Sequence, residues 1–213
     1  MISTKKYSFS LTGASALIPE TLIIAEEYLK VNDWNQVQIL LSENNHLNKI
    51  KHDTFKREFS EIKKRLSLLT PMQLQLINQD VYEDAKTMIF LAIIKTYPFV
   101  YDFIVEVILN KFLVSDRTLL DSDYKRFVES KILQHPELEN ITEKTSKKVK
   151  QVVFKILEQV GLITNIKNGF ILKPFLSNQA IKAILIDDPI FLSAFLFSND
   201  EIKVLIEQLK NDN

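Results

Sequence analysis

The sequence predicts a mainly α protein: an N-terminal multi-helix bundle, a winged helix-turn-helix unit with one short β-hairpin wing, and C-terminal helices that pack back. Three observations carry this reading. Apolar residues recur at helical spacing through most of the 213 residues, Gly and Pro are scarce at 3 and 6, and only Leu162–Leu172 holds two short apolar runs joined by an Asn-Gly pair. The expected organisation is a bundle over 1–120, the winged unit over 121–175 and a C-terminal helical segment over 176–213.

In chain order, Tyr7 to Leu17 alternates polar and small residues around Gly13 and reads as an ordered arm. Pro19-Glu20 opens a helix, since Pro is tolerated in the first turn and Glu favours the positive helix end; Leu22, Ile23, Ala25, Glu26 and Leu29 carry it to about Lys30. Asp33 caps the next, with Trp34, Val37, Ile39, Leu40 and Leu41 apolar and Asn44-Asn45 as its stop. Asp53 caps a longer helix whose Phe55, Phe59, Ile62, Leu66 and Leu69 form a narrow packing seam. Lys56, Arg57, Lys63 and Lys64 decorate its other sides. Thr70-Pro71 starts a short helix to about Asn78, and Tyr82 to Thr96 is apolar nearly all round, which marks it as central. Pro98 breaks the run, and Phe99, Phe103, Ile104, Val107, Ile108 and Phe112 make the following helix's buried face. These last two helices are the expected core of the bundle.

Asp121-Ser-Asp then begins a helix from Tyr124 to Gln134 with Phe127, Val128, Ile132 and Leu133 inside, and Pro136 to Asn140 is long enough only for a short helix. From Glu143 to Val160, Val149, Val152, Val153, Ile156 and Val160 fall on one face with Leu157 at its edge. Opposite lie Lys144, Lys147, Lys148, Gln151 and Lys155, with Lys150 on the flank and no carboxylate in the stripe. Thr142 is the expected N-cap, and the first-turn amides beside Thr145 and Ser146 are candidate phosphate donors. Gly161 supplies the positive φ that stops a helix abruptly. Leu162–Ile166 and Phe170–Leu172 then read as strands around a type I′ turn at Asn168-Gly169, with Lys167 at the tip and Lys173 at the base. Helix, short helix, lysine-faced helix, hairpin is the order of a winged helix domain, its usual first strand short or missing. Helices at about Asn178–Leu185, Pro189–Phe197 and Asn199–Leu209 close the chain. Phe191, Leu192, Phe195, Leu196 and Phe197 are too apolar for open water and should dock on the bundle or on a partner.

Composition sets bounds. With 46% hydrophobic residues and 25% charged, the chain can bury a substantial core, and zero Cys removes disulfide frameworks and thiolate metal sites, which fits the cytoplasm. Met1 to Ser10 lacks the apolar core of a signal peptide. Met88 to Val114 is broken by Lys95, Pro98, Asp102, Glu106 and Lys111, far short of the roughly 20 apolar residues of a span, so no membrane is expected. Net charge is zero, but 49–65 holds seven Lys/Arg against three Asp/Glu and 142–160 five against two, while 98–141 and 176–213 are net acidic.

Catalytic chemistry finds no support. His46, His52 and His135 share no metal-ligand spacing, no Gly-rich phosphate loop, G-x-S-x-G or H-E-x-x-H occurs, and Asp121/Asp123 and Asp187-Asp188 sit where helix caps belong. No metal, no cofactor and no enzymatic activity are expected. A lysine-faced amphipathic helix is usually only solvated surface; the single sign of the stripe and the hairpin behind it favour DNA contact. The candidate DNA-binding residues are Lys144, Thr145, Lys147, Lys148, Gln151, Lys155 and Lys167. Lys56, Arg57, Lys63 and Lys64 form a second basic patch that reads first as surface, because Glu58 and Glu61 interrupt it and no wing follows. Absence of arginine from the lysine-faced helix implies weak base discrimination.

Tyr7-Ser-Phe-Ser-Leu-Thr-Gly13 with Leu17-Ile-Pro-Glu-Thr21, Asp33-Trp34, Arg65-Leu66-x-x-Leu69-Thr-Pro71, Lys95-x-Tyr97-Pro98, His135-Pro-Glu-Leu138 and Lys147-Lys148-x-x-Gln151-Val152-x-x-x-x-Leu157-x-x-x-Gly161-Leu-Ile163 together resemble the BrxA family of BREX (bacteriophage exclusion) defence systems. The match runs in order to Pro174 and fades beyond it. The resemblance implies a small non-enzymatic protein, encoded beside a methyltransferase, an ATPase and a phosphatase-like protein, that binds double-stranded DNA and supports phage exclusion. It also implies an all-helical fold, NusB-like in part; members have been labelled inner membrane proteins, which the interrupted apolar runs contradict. It supplies no catalytic residues and transfers only the expectation that the Lys147-Lys148-x-x-Gln151 helix meets DNA. The competing expectation is a scaffold that binds other BREX proteins through the Phe191–Phe197 patch without touching DNA.

Overall fold

A computed structural model describes residues 6–43, 52–166 and 169–211. They are mainly helical, with one small two-stranded antiparallel sheet. The chain divides into two compact units, Ala16–Thr96 and Met1–Ser15 with Tyr97–Asn213, so the sequence boundaries near 120 and 175 are not where these units part.

Within Ala16–Thr96, α1 (Ile18–Val31) carries Pro19 in its first turn and stops at Asn32, whose φ of 54° lets its amide reach the Tyr28 carbonyl at 2.7 Å. The Asp33 carboxylate accepts from the Asn35 and Gln36 amides and so opens α2 (Trp34–Glu43) as expected. Val37 and Leu41 are buried, but Ile39 and Leu40 are 54% and 37% exposed; only the i, i+4 pair fits one buried stripe. The expected stop at Asn44-Asn45 and the His46 side chain lie outside the described residues.

Helix α3 (His52–Leu66) buries Phe55, Phe59, Ile62 and Leu66, with Leu69 just beyond, as the seam predicts. Thr70 and Gln73 exchange side-chain and amide bonds in a capping box for α4 (Pro71–Ile77). Helix α5 (Tyr82–Thr96) is buried on all sides from Ala85 to Ile94 apart from the half-buried Lys86, and both α3 and α4 pack on it.

The other unit begins with the arm. Its 3-10 turn, Ser10–Gly13, buries Leu11 completely. Pro98 starts α6 (Pro98–Phe103), which continues without a break through a π-helical turn, Ile104–Leu109, into α7 (Asn110–Leu113). The two apolar helices expected to share one bundle core therefore belong to different units. Helix α6 instead joins α8 (Asp121–Lys131) and α9 (Glu143–Gln159) in an aromatic core. Phe103 lies 5.3 Å from Tyr124, 5.2 Å from Phe127 and 6.2 Å from Phe154, ring centre to ring centre.

Leu133, expected inside, is 93% exposed. Helix α8 ends at Lys131, and the amides of both Gln134 and His135 turn back to the Lys131 carbonyl; helical periodicity stops there and Leu133 swings outward. Strand β1 (Thr118–Leu119) pairs antiparallel with β2 (Gly169–Phe170), Thr118 opposite Phe170 and Leu119 opposite Gly169. Ile163 bridges Ile171, the Thr164 amide donates to the Phe170 carbonyl at 3.1 Å, and the Leu172 amide donates to the Leu162 carbonyl at 2.9 Å. Of the two strands expected at Leu162–Ile166 and Phe170–Leu172, the described residues hold only Gly169–Phe170 as a strand, paired with β1, and 162–166 contributes the single bridge at Ile163; the expected tip, Lys167 and Asn168, lies outside the described residues.

Helix α10 (Asn178–Asp187), a 3-10 segment (Pro189–Phe195) and α11 (Asn199–Asn211) follow. Leu192, Phe195 and Leu196 are buried, the 3-10 segment packs against the π-turn, and Phe191 meets Tyr101 edge to face at 5.7 Å. The Phe191–Phe197 patch is therefore occupied by the chain itself, in the same unit, and does not lie open as a docking surface.

Candidate nucleic-acid interface

Helix α9 is held from more sides than its periodicity discloses. Val149, Val152, Val153, Ile156, Leu157 and Val160 are buried as expected, and so is Phe154, 3% exposed, whose ring sits 6.0 Å from Tyr124. The 3-10 turn of the arm packs against α9 as well. What remains for solvent is the polar stripe: Lys144, Lys147, Lys148, Gln151 and Lys155 are all exposed, and Thr145 is half-buried.

The helix ends are fixed locally. Thr142 Oγ1 accepts the Thr145 amide at 3.2 Å and lies 2.9 Å from the Thr145 hydroxyl, while the Ser146 amide donates to the Thr142 carbonyl at 2.9 Å. The Thr145 and Ser146 amides, expected as phosphate donors, are thus used inside the cap and the first helical turn. At the other end Gly161 has φ +82°; its amide reaches the Glu158 carbonyl at 3.1 Å and the Leu162 amide reaches the Leu157 carbonyl at 2.9 Å, a Schellman motif.

The stripe is less purely cationic than its own members suggest. Lys147 pairs with Glu143 at 2.6 Å and Lys155 with Glu158 at 2.5 Å, Lys148 donates to the Gln151 side chain at 3.2 Å, and Lys150 bonds Asp121. Both carboxylates flank the stripe at helical spacing, so the signal for them was present in the sequence. Pairs this exposed contribute about 0–1 kcal/mol each and exchange readily for another anion.

The ground under α9 is a polar cluster invisible to motif reading. Tyr7 stacks on His135, ring centres 3.6 Å apart, donates its hydroxyl to Asp102 Oδ2 at 2.7 Å and its amide to Glu137 at 2.6 Å. Burial, then the Asp102 hydrogen bond, pushes the Tyr7 phenol far above its ordinary value. Burial likewise raises the Asp102 carboxyl, against the opposing pull of the Tyr7 hydroxyl and Lys131. For Glu137 burial pushes upward too, but the Tyr7 amide and His135 outweigh it and hold the carboxyl low. The cluster ties the arm to the His135-Pro-Glu-Leu138 turn just ahead of α9.

Lys56, Arg57 and Lys64 are exposed and Lys63 is half-buried on α3, in the other unit, and they share no element with the α9 stripe. Asp123 and Asp188 cap as expected: Asp123 accepts the Leu120 amide at 2.8 Å and Asp188 the Ile190 amide at 3.0 Å. Among the described residues no single helix is long and apolar enough to cross a membrane.

A family model described as BrxA matches residues 5–186. A BREX protein BrxA from Bacillus cereus is 29% identical over 126 residues, 59% of this chain and 63% of that protein, so the match spans less than two thirds of its length. The BREX protein BrxA of Paramagnetospirillum magneticum is 26% identical over 76% of this chain and 81% of its own. That of Escherichia coli O9:H4 is 25% identical over 75% of each. The crystal structure of an uncharacterized protein from Magnetospirillum magneticum superposes with a TM-score of 0.79 over 90% of this chain and 98% of that one, at 22% identity, a likeness of fold. Because the family model spans well over half of its residues, this chain belongs to the BrxA family of BREX phage-defence proteins.

Proposed function

We propose that the protein is a non-enzymatic, double-stranded-DNA-binding accessory component of its BREX system, working in the cytoplasm alongside other BREX proteins. Residues 118–173 act as a winged helix-turn-helix: β1, α8, the 136–138 turn, α9 and the hairpin follow one another in that order. The observation that carries the proposal is that α9 buries every apolar residue from Val149 to Leu157 yet leaves Lys144, Lys147, Lys148, Gln151 and Lys155 exposed along one stripe. Phosphates replace Glu143 and Glu158 as partners of Lys147 and Lys155. Without arginine on α9 the binding is salt-sensitive and poorly discriminating among bases.

The test is Lys147→Glu with Lys148→Glu. Both side chains are exposed, so the circular dichroism spectrum stays unchanged while the gel shift with duplex DNA disappears; undiminished affinity would sink the reading.

A scaffold reading keeps one observation of its own. Phe170, Leu172 and Phe175 are 49%, 40% and 81% exposed on and beside the hairpin, an apolar face suited to protein contact. It prevails if purified protein ignores duplex DNA at about 50 mM salt, where phosphate binding is favoured, while nuclease-treated cell extracts still yield partner proteins.

A further inference from the structure

The basic residues of α3 read first as solvated surface in the sequence, because Glu58 and Glu61 interrupt them. In the structure both carboxylates turn away from them. Glu61 Oε1 accepts from Arg65 Nε at 2.7 Å, and that guanidinium is buried and also reaches the Ala16 carbonyl at 3.4 Å. Glu58 lies opposite Lys56 around the helix. Its Oε2 is enclosed without a hydrogen bond, and burial, then the nearby Glu20, raises its carboxyl against the pull of Arg57.

From Lys56 to Leu66, at about 100° per residue, Lys56, Arg57, Ser60, Lys63 and Lys64 share an arc of about 120° that holds no carboxylate of that stretch. The Asp53 side chain, the expected cap, lies outside the described residues. Among the described residues no carboxylate pairs with Lys56, Arg57 or Lys63, whereas Lys147 and Lys155 on α9 are each held by a glutamate. Phe55, Phe59, Ile62 and Leu66 are buried on the other side, so the charges face outward. Beside Lys56 an open groove of about 230 Å³ runs between α2 and α3, and Asn35, Gln38 and Ser42 line it with uncharged hydrogen-bonding groups.

Gathered like charges oppose the compact state rather than stabilise it, so a polyanion is the partner that suits them. Lys56 and Lys63 lie about 10 Å apart along the helix axis at about 1.5 Å per residue. Duplex DNA carries one phosphate charge per about 1.7 Å of its axis, so the stripe meets several phosphates at once. No aromatic ring stands among these side chains, and single strands are gripped by stacking their bases on such rings.

We propose that the α3 stripe is a second duplex-DNA contact, carried by Ala16–Thr96 and holding a separate duplex segment by its phosphates. The choice of DNA among polyanions rests on the reading of α9 as a duplex binder. With three unpaired cations against the four lysines of α9, it is the weaker of the two contacts.

The experiment is titration calorimetry of the full chain at about 50 mM salt, with a duplex of about 12 base pairs, little more than one helical turn. Two duplexes bind per chain, in two steps. Lys56→Glu with Arg57→Glu, both exposed, weakens the second step at least tenfold, leaves the first unchanged and leaves the circular dichroism spectrum unchanged. Lys147→Glu with Lys148→Glu removes the tighter step and leaves the weaker. Lys203→Glu with Lys210→Glu, exposed on α11, makes the same change of net charge and leaves both steps. If the α9 pair changes nothing while the α3 pair removes a step, the α9 reading fails and the α3 contact stands. A single duplex per chain, a second step indifferent to Lys56 and Arg57, equal weakening by the α11 pair, or a second step seen only with single-stranded DNA would overturn the α3 assignment.

Discussion

Salt titration of duplex binding puts the α9 stripe to a quantitative test. Lys144, Lys147, Lys148 and Lys155 present four ammonium groups on one exposed helical stripe. If each neutralises one phosphate, log K falls against log salt with a slope of about −3.6, because each contact contributes about −0.9 on duplex DNA. Between 50 and 200 mM salt the wild-type affinity then drops about 150-fold. Lys147→Ala with Lys148→Ala removes two contacts, so the slope flattens to about −1.8 and the same change of salt costs only about 12-fold. Alanine is used here because it favours helix and introduces no repulsion that would mix a new interaction into the slope. Fluorescence anisotropy on a labelled duplex at four or five salt concentrations reads both numbers. A wild-type slope near zero, or one that the double substitution leaves unchanged, refutes phosphate contact by this stripe.

Other expectations follow from the supports of the site. Asp123 is 5% exposed and accepts from the Leu120 amide, Arg126 and Lys111; burial pushes its carboxyl up, but these three donors prevail and hold it below the ordinary value. Its stabilising effect is therefore complete above the unfolded carboxylate value of about 4 and is lost as pH falls through the lower folded value. Asp123→Ala costs about 2 kcal/mol at pH 7, and urea titrations of variant and parent should converge at low pH. Tyr7→Phe strands Asp102 and costs about 1–3 kcal/mol, read as a lowered thermal midpoint. At Gly161 nothing lies within 4 Å of the place a methyl group would take, so Gly161→Ala meets no clash and its cost, about 1–2 kcal/mol, comes from φ +82° alone; a neutral result would mean the Schellman stop relaxes freely.

Periodicity carried the sequence reading wherever one helix face meets one neighbour. The Phe55–Leu66 seam, the α5 core and the valine face of α9 were legible for that reason, as were the Thr142 cap and the Gly161 stop, which depend on residues a few positions away. Phe154 escaped because α9 is buried on a second side, and a 3.6-residue pattern with one polar stripe does not say how many sides are covered. Leu133, expected inside, is 93% exposed because the chain turns tightly at the end of α8. Least legible were contacts between distant segments. Tyr7 meets residues 95 and 130 positions away, and no local pattern encodes such a pairing. The groove whose walls come from residues 101–113 and 190–203 shares that origin. The exposed lysines themselves are plain in the sequence, and their ion pairs with Glu143 and Glu158 lie at the readable i, i+4 and i, i+3 spacings, off the stripe itself.

The arm makes the Tyr97–Asn213 unit discontinuous: its described segment before Ser15 fills the space behind α9 with Leu11 and grips His135 with Tyr7, and residues 16–96 intervene before the rest of the unit follows. An engineer cutting the chain at residue 97 to isolate the lysine-faced helix would leave two vacancies, one the size of a leucine and one the size of a tyrosine, each worth several kcal/mol by the usual cost of core truncation, about 2–5 kcal/mol. A useful minimal fragment would instead splice residues 6–15 through a flexible linker onto 97–211. Fusion tags carry the same lesson: a bulky partner attached immediately ahead of Tyr7 presses on the supports of the helix proposed to meet DNA, whereas one attached beyond α11 does not.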